Sequence, residues 1–556
     1  MEFIQKKMDA ATFERLVDSG AARLKMKVQE VNDLNVFPIP DGDTGENMFL
    51  TIKGGVEAMH AEQSSLLTDK ANALANGMLL NARGNSGVIL SQLFFGLSEG
   101  LKEKETATLI EFSKALKIGV DKAYASVVHP VEETILTVAR EAVENTEAKI
   151  SCDTLWVEFF KSFLSEMKRS LMRTPELLEA LKESGVIDSG GAGLVYIIEG
   201  FYKALLGEDF IGEIAATEAA KVNAIDFSNF NADSEMTFGY CTELLVQLQN
   251  SKVDVENFTV DAVKDYLSTI GDSIVAFKTG SIIKIHVHTM KPYKVLEYCH
   301  DFGEFLTVKI ENMTVQHNES IKAEENEIQT RVKRSRRKFA LIAVASGQGL
   351  VDMFKDLGAD EVVSGGQTNN PSSEDFISAF ERVNADYVFV LPNNSNVVLT
   401  AKQAANMYSD SKIIVIESKN IGQGYSIMSM LDYSSDDPKE IEERMKSDMA
   451  GVCTAMVSTA VRTTTVNGVN VNKDDFIGFT DHEMLVSNGD KIETAKALID
   501  KLNLNEKEFF IVMFGKDSLE FEREEIANYV QTKFSAVEFY SIDGGQEVYD
   551  FIFVVE

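Results

Sequence analysis

Basic residues are scarce in this chain: 54 Lys and Arg stand against 87 Asp and Glu in 556 residues, a formal net charge of −33. That deficit argues against a nucleic-acid binder, which would show a basic face, and disfavours adsorption to anionic headgroups. An anionic ligand would need a locally made positive field, from metal ions, backbone N–H groups or a single arginine. Cysteine is equally sparse. Cys152, Cys241, Cys299 and Cys453 are too few and too scattered for a disulfide framework, which points to a reducing cytoplasm. The first residues, MEFIQKKMDAATFERL, carry charges every few positions and do not read as a signal peptide. No window approaches the roughly 20 apolar residues of a membrane helix. Walker A, Rossmann and protein-kinase signatures are also missing.

What is present is ordinary globular usage over a length that suggests three or four domains. Residues 1–205 read as helical, with apolar residues at three- and four-residue spacing, as in LVDSGAARLKMKVQEVNDL and LWVEFFKSFLSEMKRSLM. The breaks hold the Gly, Asp and Pro residues: PIPDGDTGEN, NARGNSG, VVHPVEET and VIDSGGAG. A helical bundle with a site at one end is the expected arrangement. Residues 206–235 form an acidic, small-residue linker. From 236 to 330 the order strand, helix, strand, strand, helix, strand predicts a small α+β sandwich. The basic run 331–338 is either a solvated hinge or, less in keeping with so acidic a chain, a nucleic-acid patch. From residue 339 to 556, short β-branched runs alternate with helical segments, the pattern of an α/β domain with a parallel sheet.

The sharpest chemical feature is Asp41-Gly42-Asp43-Thr44-Gly45-Glu46-Asn47. Two carboxylates one residue apart can converge on a hard cation, magnesium in particular. The same residues also fit a helix start, with Asp43 as N-cap and Glu46 closing a capping box. A second loop, Arg83-Gly84-Asn85-Ser86-Gly87, precedes an apolar helix. Backbone N–H groups there can approach an anion, and Arg83 can add a fork of donors to phosphate. Taken alone, such a loop more often marks a plain turn or close helix packing. A third loop, Asp188-Ser189-Gly190-Gly191, repeats the theme of an acid followed by glycines. Three such loops on one bundle favour a metal–nucleotide site.

Cys241, His286 and His288 form another candidate set. The two histidines lie two apart in a strand and so share a face, and one thiolate with two imidazoles suits zinc. A buried thiol beside two strand histidines is the alternative, and His317 and Glu243 are weak candidates for a fourth ligand. The loops 364–368, 392–394 and 422–424 fall where apolar strands end, the usual ligand edge of a parallel sheet. Plain strand-to-helix turns are equally compatible with them.

LNVFPIPDGDTGENM, NARGNSGVILSQ, HPVEETILTVAREA and SGVIDSGGAGLVYIIEG together resemble the nucleotide-binding domain of the dihydroxyacetone kinase L-subunit superfamily. The resemblance is closer to the ATP-binding subunit of bacterial fatty acid kinases. It extends through FGYCTELLV, IIKIHVHT and ENMTVQHN to VSGGQTNNPSSED, VLPNNSNVVLTAKQA and NIGQGYS, and so covers the whole chain. It implies a helical barrel holding ATP and two magnesium ions, with Asp41 and Asp43 as metal ligands and Asn35 where related kinases carry a third aspartate. Arg83 joins the two aspartates in the expected catalytic group. Thr44, Asn47, Gly84, Asn85, Ser86, Gly87, Thr134, Asp188, Gly190 and Gly191 would surround the nucleotide. Asn81 and Glu133 stand where glycine is common in the pattern. A structural zinc on Cys241, His286 and His288 is implied as well. The C-terminal domain would be related in fold to DegV-type fatty-acid-binding proteins and would help dock one. The implied reaction is phosphorylation of a fatty acid carried by that partner, giving an acyl phosphate, with the kinase acting as a homodimer. A kinase of dihydroxyacetone or another small polyol, and a non-catalytic nucleotide sensor, are the competing readings.

Overall fold

The computed structural model describes residues 7–34, 42–127, 130, 132, 134–151, 153–177, 181, 186–208, 240–255, 258–279, 281–312, 336–431, 435–481 and 483–556. The chain forms two compact units: residues 1–214 with 334–556, and residues 215–333. The helical and C-terminal domains, separate in the sequence reading, therefore pack together as one body.

The helical domain comprises α1 (Ala10–Met26), α2 (Val28–Asn32), α3 (Thr44–Ala61), α4 (Leu67–Leu80), α5 (Gly84–Gly100), α6 (Leu109–Ala125), α7 (Ile135–Glu147), α8 (Trp156–Leu177) and α9 (Ser189–Leu205). A two-residue pair, β1 (Lys7–Met8) with β2 (Ala107–Thr108), ties the start of α1 to the start of α6. The helix starts are set by side-chain caps. Asp9 accepts from Thr12 N at 2.9 Å, and Thr108 with Glu111 forms a reciprocal capping box. Inside, Phe112, Trp156, Phe159, Phe160, Phe163 and Phe201 form one aromatic cluster. Phe112 meets Trp156 edge-on at 5.4 Å, and each fully buried ring contributes about 1.5–3 kcal/mol. Small residues let helices touch at their backbones. A β-carbon on Gly200 of α9 would lie 2.4 Å from Ser19 O and 2.6 Å from Gly20 Cα of α1.

The middle unit is β3 (Tyr240–Leu248), α10 (Asp261–Ser268), β4 (Asp272–Thr279), β5 (Ile282–Thr289), α11 (Pro292–His300) and β6 (Gly303–Asn312). This is the element order read from the sequence. Its sheet is antiparallel in the order β4-β5-β3-β6. Leu244, Val246, Ile283, Ile285 and Val287 face a core completed by Val263, Leu267, Val295 and Cys299. Cys299 is a buried core thiol, its pKa pushed up to about 12 by desolvation.

The C-terminal domain begins with β7 (Arg337–Ala345), α12 (Gln348–Asp356), β8 (Glu361–Ser364), α13 (Ser373–Val383), β9 (Ala385–Leu391), α14 (Val398–Met407) and β10 (Lys412–Val415). These strands make a parallel sheet in the order β10-β9-β7-β8. β7 is buried on both faces, as a strand covered on two sides must be. Ala340, Ile342 and Val344 pack with α13 and α14, while Leu341 and Ala343 face the other way. Next come α15 (Ile421–Ser429) and α16 (Pro438–Ala450), β11 (Cys453–Thr459), a small hairpin of β12 (Thr464–Val466) and β13 (Val469–Val471), β14 (Phe476–Thr480) and β15 (Met484–Asn488). The chain ends with α17 (Lys491–Lys501), β16 (Phe509–Phe514), α18 (Glu520–Lys533), β17 (Glu538–Asp543) and β18 (Phe551–Val555).

β11, β14, β15, β16, β17 and β18 build a second, mixed sheet in the order β15-β14-β11-β18-β16-β17, parallel only between β16 and β17. The parallel sheet expected from the sequence is therefore present, and this mixed sheet is added to it. The basic run is partly reassigned. Arg337 and Lys338 open β7, and Arg336, Arg337 and Lys338 pair with Asp386, Asp360 and Asp436 at 2.5–2.6 Å. These three cations anchor the first strand of the domain instead of forming a hinge or a free basic patch.

Candidate active site

Four helices of the bundle begin at the loops singled out in the sequence: α3 after Asp43, α5 after Arg83, α7 after Thr134 and α9 after Asp188. Their first turns meet. Ser189 Oγ donates to Thr44 Oγ1 at 3.4 Å, joining α9 to α3. The Asp188 carboxylate accepts from Gly191 N at 2.6 Å and also from the backbone N–H of Ile135, joining α9 to α7. Gly84 and Gly87 lie against α3. Gly84 has φ +58, which glycine tolerates best, and a β-carbon there would come 2.6 Å from Asn47 Nδ2. One on Gly87 would come 2.4 Å from Thr51 Oγ1. Four positive helix ends thus converge at one end of the bundle, which gives this acidic chain the local field an anion needs.

The candidates divide by what they touch. Asp43 is buried, and although it is the N-cap residue of α3 it makes no side-chain cap bond. The capping-box reading of Asp43 with Glu46 is therefore corrected. The Asp43 carboxylate instead accepts a hydrogen bond from Nδ2 of Asn370, a residue of the loop before α13 in the C-terminal domain. Arg83 also turns toward that domain: its Nη1 donates to Asn370 O at 2.8 Å, and its Nη2 lies 3.9 Å from Asp375. Asn85 Nδ2 donates to Asn396 Oδ1 at 3.4 Å. Asn47 is buried behind Gly84, and Ser86 is half-buried in the first turn of α5. Thr134 caps α7, accepting from Leu136 N at 3.4 Å. Gly190 and Gly191 lie in the first turn of α9, with Gly190 beside Ile135. Asn81 packs against Gly54, where a β-carbon would come 2.2 Å from its Cγ. Asn35, Asp41 and Glu133 lie outside the described residues.

A divalent ion suits the donors present. Asp43 offers a buried carboxylate, and beside it Asn370 Oδ1 is buried with no hydrogen-bond partner among the described residues. Carboxylate and amide oxygens are the donors hard cations take. Among the described residues no group of three or more His, Cys, Asp or Glu forms a ready-made protein cage. Magnesium would accordingly rely on few protein ligands and on substrate phosphates.

Burial pushes the Asp188 carboxyl up to about 6, against the lowering effect of its two N–H donors. A carboxyl whose pKa rises on folding favours the native state at low pH, and that contribution disappears as pH climbs through 6. In nucleotide-free protein the melting temperature should therefore carry an Asp188 component that falls between pH 4 and pH 7. Asp188→Asn should flatten that slope, by up to roughly 3 kcal/mol over the range. Parallel pH–stability curves for the two proteins would contradict this.

Two of the three expected ligand-edge loops, 364–368 and 392–394, line a cavity of about 480 Å³ that is also walled by Gln546, whereas 422–424 is not a loop but lies within the first turn of α15. The cavity opens between the ends of β7 and β9, where the strand order reverses, the usual crevice of an open α/β sheet. The side chains of Cys241, His286 and His288 lie outside the described residues. The backbone register, however, sets Cys241 opposite His288, and His286 opposite Glu243, across β3 and β5. The structure also supplies a residue the sequence reading left without a role. Asn370 lies within the quoted stretch VSGGQTNNPSSED, yet it is 327 positions from its partner Asp43, and no local pattern links the two.

A helical nucleotide-type site joined to an α/β domain defines a class of kinase, and comparison with known proteins agrees. Residues 38–203 match the DAK2 domain, 237–320 match the middle domain of the FakA-like fatty acid kinase family, and 340–556 match the C-terminal domain of that family. Protein YloV of Bacillus subtilis is 36% identical over 555 residues, covering 99% of both chains. The chain belongs to this FakA-like fatty acid kinase family. Among solved structures, the dihydroxyacetone kinase of C. freundii in complex with AMP-PNP and Mg2+ is similar at 19% identity and a TM-score of 0.29, covering 35% of this chain and 34% of that one. The Streptococcus pneumoniae Fak B3 protein loaded with linoleic acid is similar at 13% identity and a TM-score of 0.27, covering 39% and 99%. No helix among the described residues is long and apolar enough to cross a membrane.

Proposed function

We propose that this chain is the ATP-binding catalytic component of a two-component fatty acid kinase. It phosphorylates a fatty acid presented by a separate DegV-type fatty-acid-binding protein, releases an acyl phosphate and works as a homodimer in the cytoplasm. The observation that carries the reading is the convergence of four helix N-termini beside the buried carboxylate of Asp43. Phosphoryl transfer demands positioning and charge neutralisation more than covalent participation. The first turns of α3, α5, α7 and α9 supply N–H donors to phosphate oxygens, with Ser86, Gly190 and Gly191 on those turns. Asp41 and Asp43 hold magnesium, which neutralises charge on the transferring group. The acceptor carboxylate is ionised at neutral pH, so no strong general base is required. An alcohol acceptor would need one.

The acyl chain also argues for a partner. The apolar cavity inside the bundle, between Phe94, Phe160 and Phe201, measures about 50 Å³, room for only a few water-sized molecules. A long acyl chain does not fit in that cavity, so the bundle core is not its binding place, in keeping with an acid held by a separate carrier. The deciding assay combines the full chain, ATP, magnesium and a lipid-loaded DegV-type protein, and measures acyl phosphate. Phosphorylation of dihydroxyacetone in place of the lipid would reject the assignment.

The middle unit carries a structural zinc in this reading, held by Cys241, His286 and His288; the alignment of Cys241 with His288 across β3 and β5 favours it. A domain this small gains folding energy from such a cross-link. Purified protein should hold about one zinc per chain, and chelation or Cys241→Ser should make the middle unit protease-sensitive while ATP binding persists. Zinc-free protein with a protease-resistant middle unit would return these residues to a plain thiol and two strand histidines.

A further inference from the structure

We infer that Asn370, supplied by the C-terminal α/β domain, is a positioning residue of the phosphotransfer centre: across the domain seam it holds the Asp43 carboxylate in the orientation that receives the metal–phosphate group. The inference rests on the nucleotide-site reading above and adds a residue to it.

Three observations carry it. First, the Asn370 side chain is 1% exposed, donates from Nδ2 to Asp43, and leaves Oδ1 with no partner among the described residues. A buried amide oxygen without a partner is costly unless another group completes it. It stands beside the one described carboxylate assigned to the metal. Second, the Asn370 backbone is fixed from both sides. Arg83 Nη1 donates to its carbonyl at 2.8 Å, Ser373 N donates to Ala82 O at 3.3 Å, and Arg83 pairs with Ser372 in an isolated antiparallel bridge. Within its own domain the loop is braced by Gly366 N on Asn369 O at 3.1 Å and by the capping box of Ser372 with Asp375. Third, the amide lies over the glycine of the phosphate loop: a β-carbon on Gly84 would come 3.7 Å from Asn370 Nδ2. Arg83 thus serves the centre by anchoring this loop.

A second anchor of the seam lies apart from Asp43. Gln403 of α14 donates from Nε2 to Leu79 O at 2.9 Å and accepts from Gln92 Nε2 at 2.9 Å. It provides the control. Full-length protein, Asn370→Ala and Gln403→Ala are titrated calorimetrically with AMP-PNP, with and without Mg2+, and their melting temperatures are recorded without ligand. Asn370→Ser, too short to reach Asp43, replaces the alanine variant if that one does not fold. The factor by which Mg2+ tightens nucleotide binding should fall by about tenfold or more in the Asn370 variant and stay within about threefold in Gln403→Ala. Metal-free nucleotide affinity should change little in either. Unchanged Mg2+ enhancement in the Asn370 variant, or equal loss in both variants, would overturn the inference, the latter by reducing Asn370 to a domain-docking contact. Failure of the unaltered protein to bind AMP-PNP at all would instead remove the nucleotide-site reading, and this inference with it.

Discussion

Asp41→Ala and Asp43→Ala are each expected to abolish phosphoryl transfer while the chain stays folded. Loss of one preorganised electrostatic partner of the transferring group typically costs ~10²–10³ in rate, and a metal ligand at the heart of the site belongs at the upper end of that range. The two substitutions should differ in stability. Asp43 is buried and accepts from Asn370, so its removal strands a buried N–H donor, at a cost of about 1–3 kcal/mol. Asp43→Asn keeps the volume but sets amide against amide, and it should lose activity with a smaller drop in melting temperature. Activity and melting temperature measured side by side on the three variants separate the catalytic role from the structural one. Near-normal turnover of either alanine variant at limiting magnesium would show that the metal is held elsewhere.

The helical domain was legible because its physics is local. Caps, apolar spacing of three and four, and glycine-rich breaks each act within a few residues, and they placed α3, α5, α7 and α9 at the loops that now meet. The middle unit was legible for the same reason, since its strands and helices alternate cleanly. The second sheet of the C-terminal domain was not. β12 and β13 are three residues each, and β14 and β15 five, too short to show a period, and they are specified by antiparallel pairing with β11 and with one another. Asp43 illustrates the limit more sharply. The sequence marks it as a carboxylate beside a helix start and permits either a cap or a ligand. The structure leaves the cap bond unmade and turns the carboxylate to Asn370, a residue of another domain, whose approach depends on α5 packing against α14 and α4 against α13. The contact of Arg83 Nη1 with Asn370 O was hidden from the sequence for the same reason.

The seam also decides what a fragment can do. Residues 1–205 contain their own aromatic core and all four converging helix starts, so the isolated fragment is expected to fold and to bind ATP. Cutting away the C-terminal domain removes the partners it supplies to Gln92, Ser91, the Arg83 guanidinium and the Leu79 carbonyl, and Ser91 keeps its bond to Val88 O. All are polar, and water can replace the lost hydrogen bonds at little cost, about 0.5–1.5 kcal/mol each. Transfer to a fatty acid should nevertheless fall by at least ~10², because Asp43 loses the group that holds it and the acyl carrier loses the domain on which it docks. ATP affinity in the absence of magnesium should stay close to that of the full chain, while the tightening by magnesium should shrink as it does in Asn370→Ala. Adding residues 336–556 as a separate chain should restore part of that tightening if the seam re-forms. A fragment that phosphorylates lipid at the full rate with its partner would show that the helical domain alone completes the centre, and Asn370 would then be a contact of the fold and nothing more.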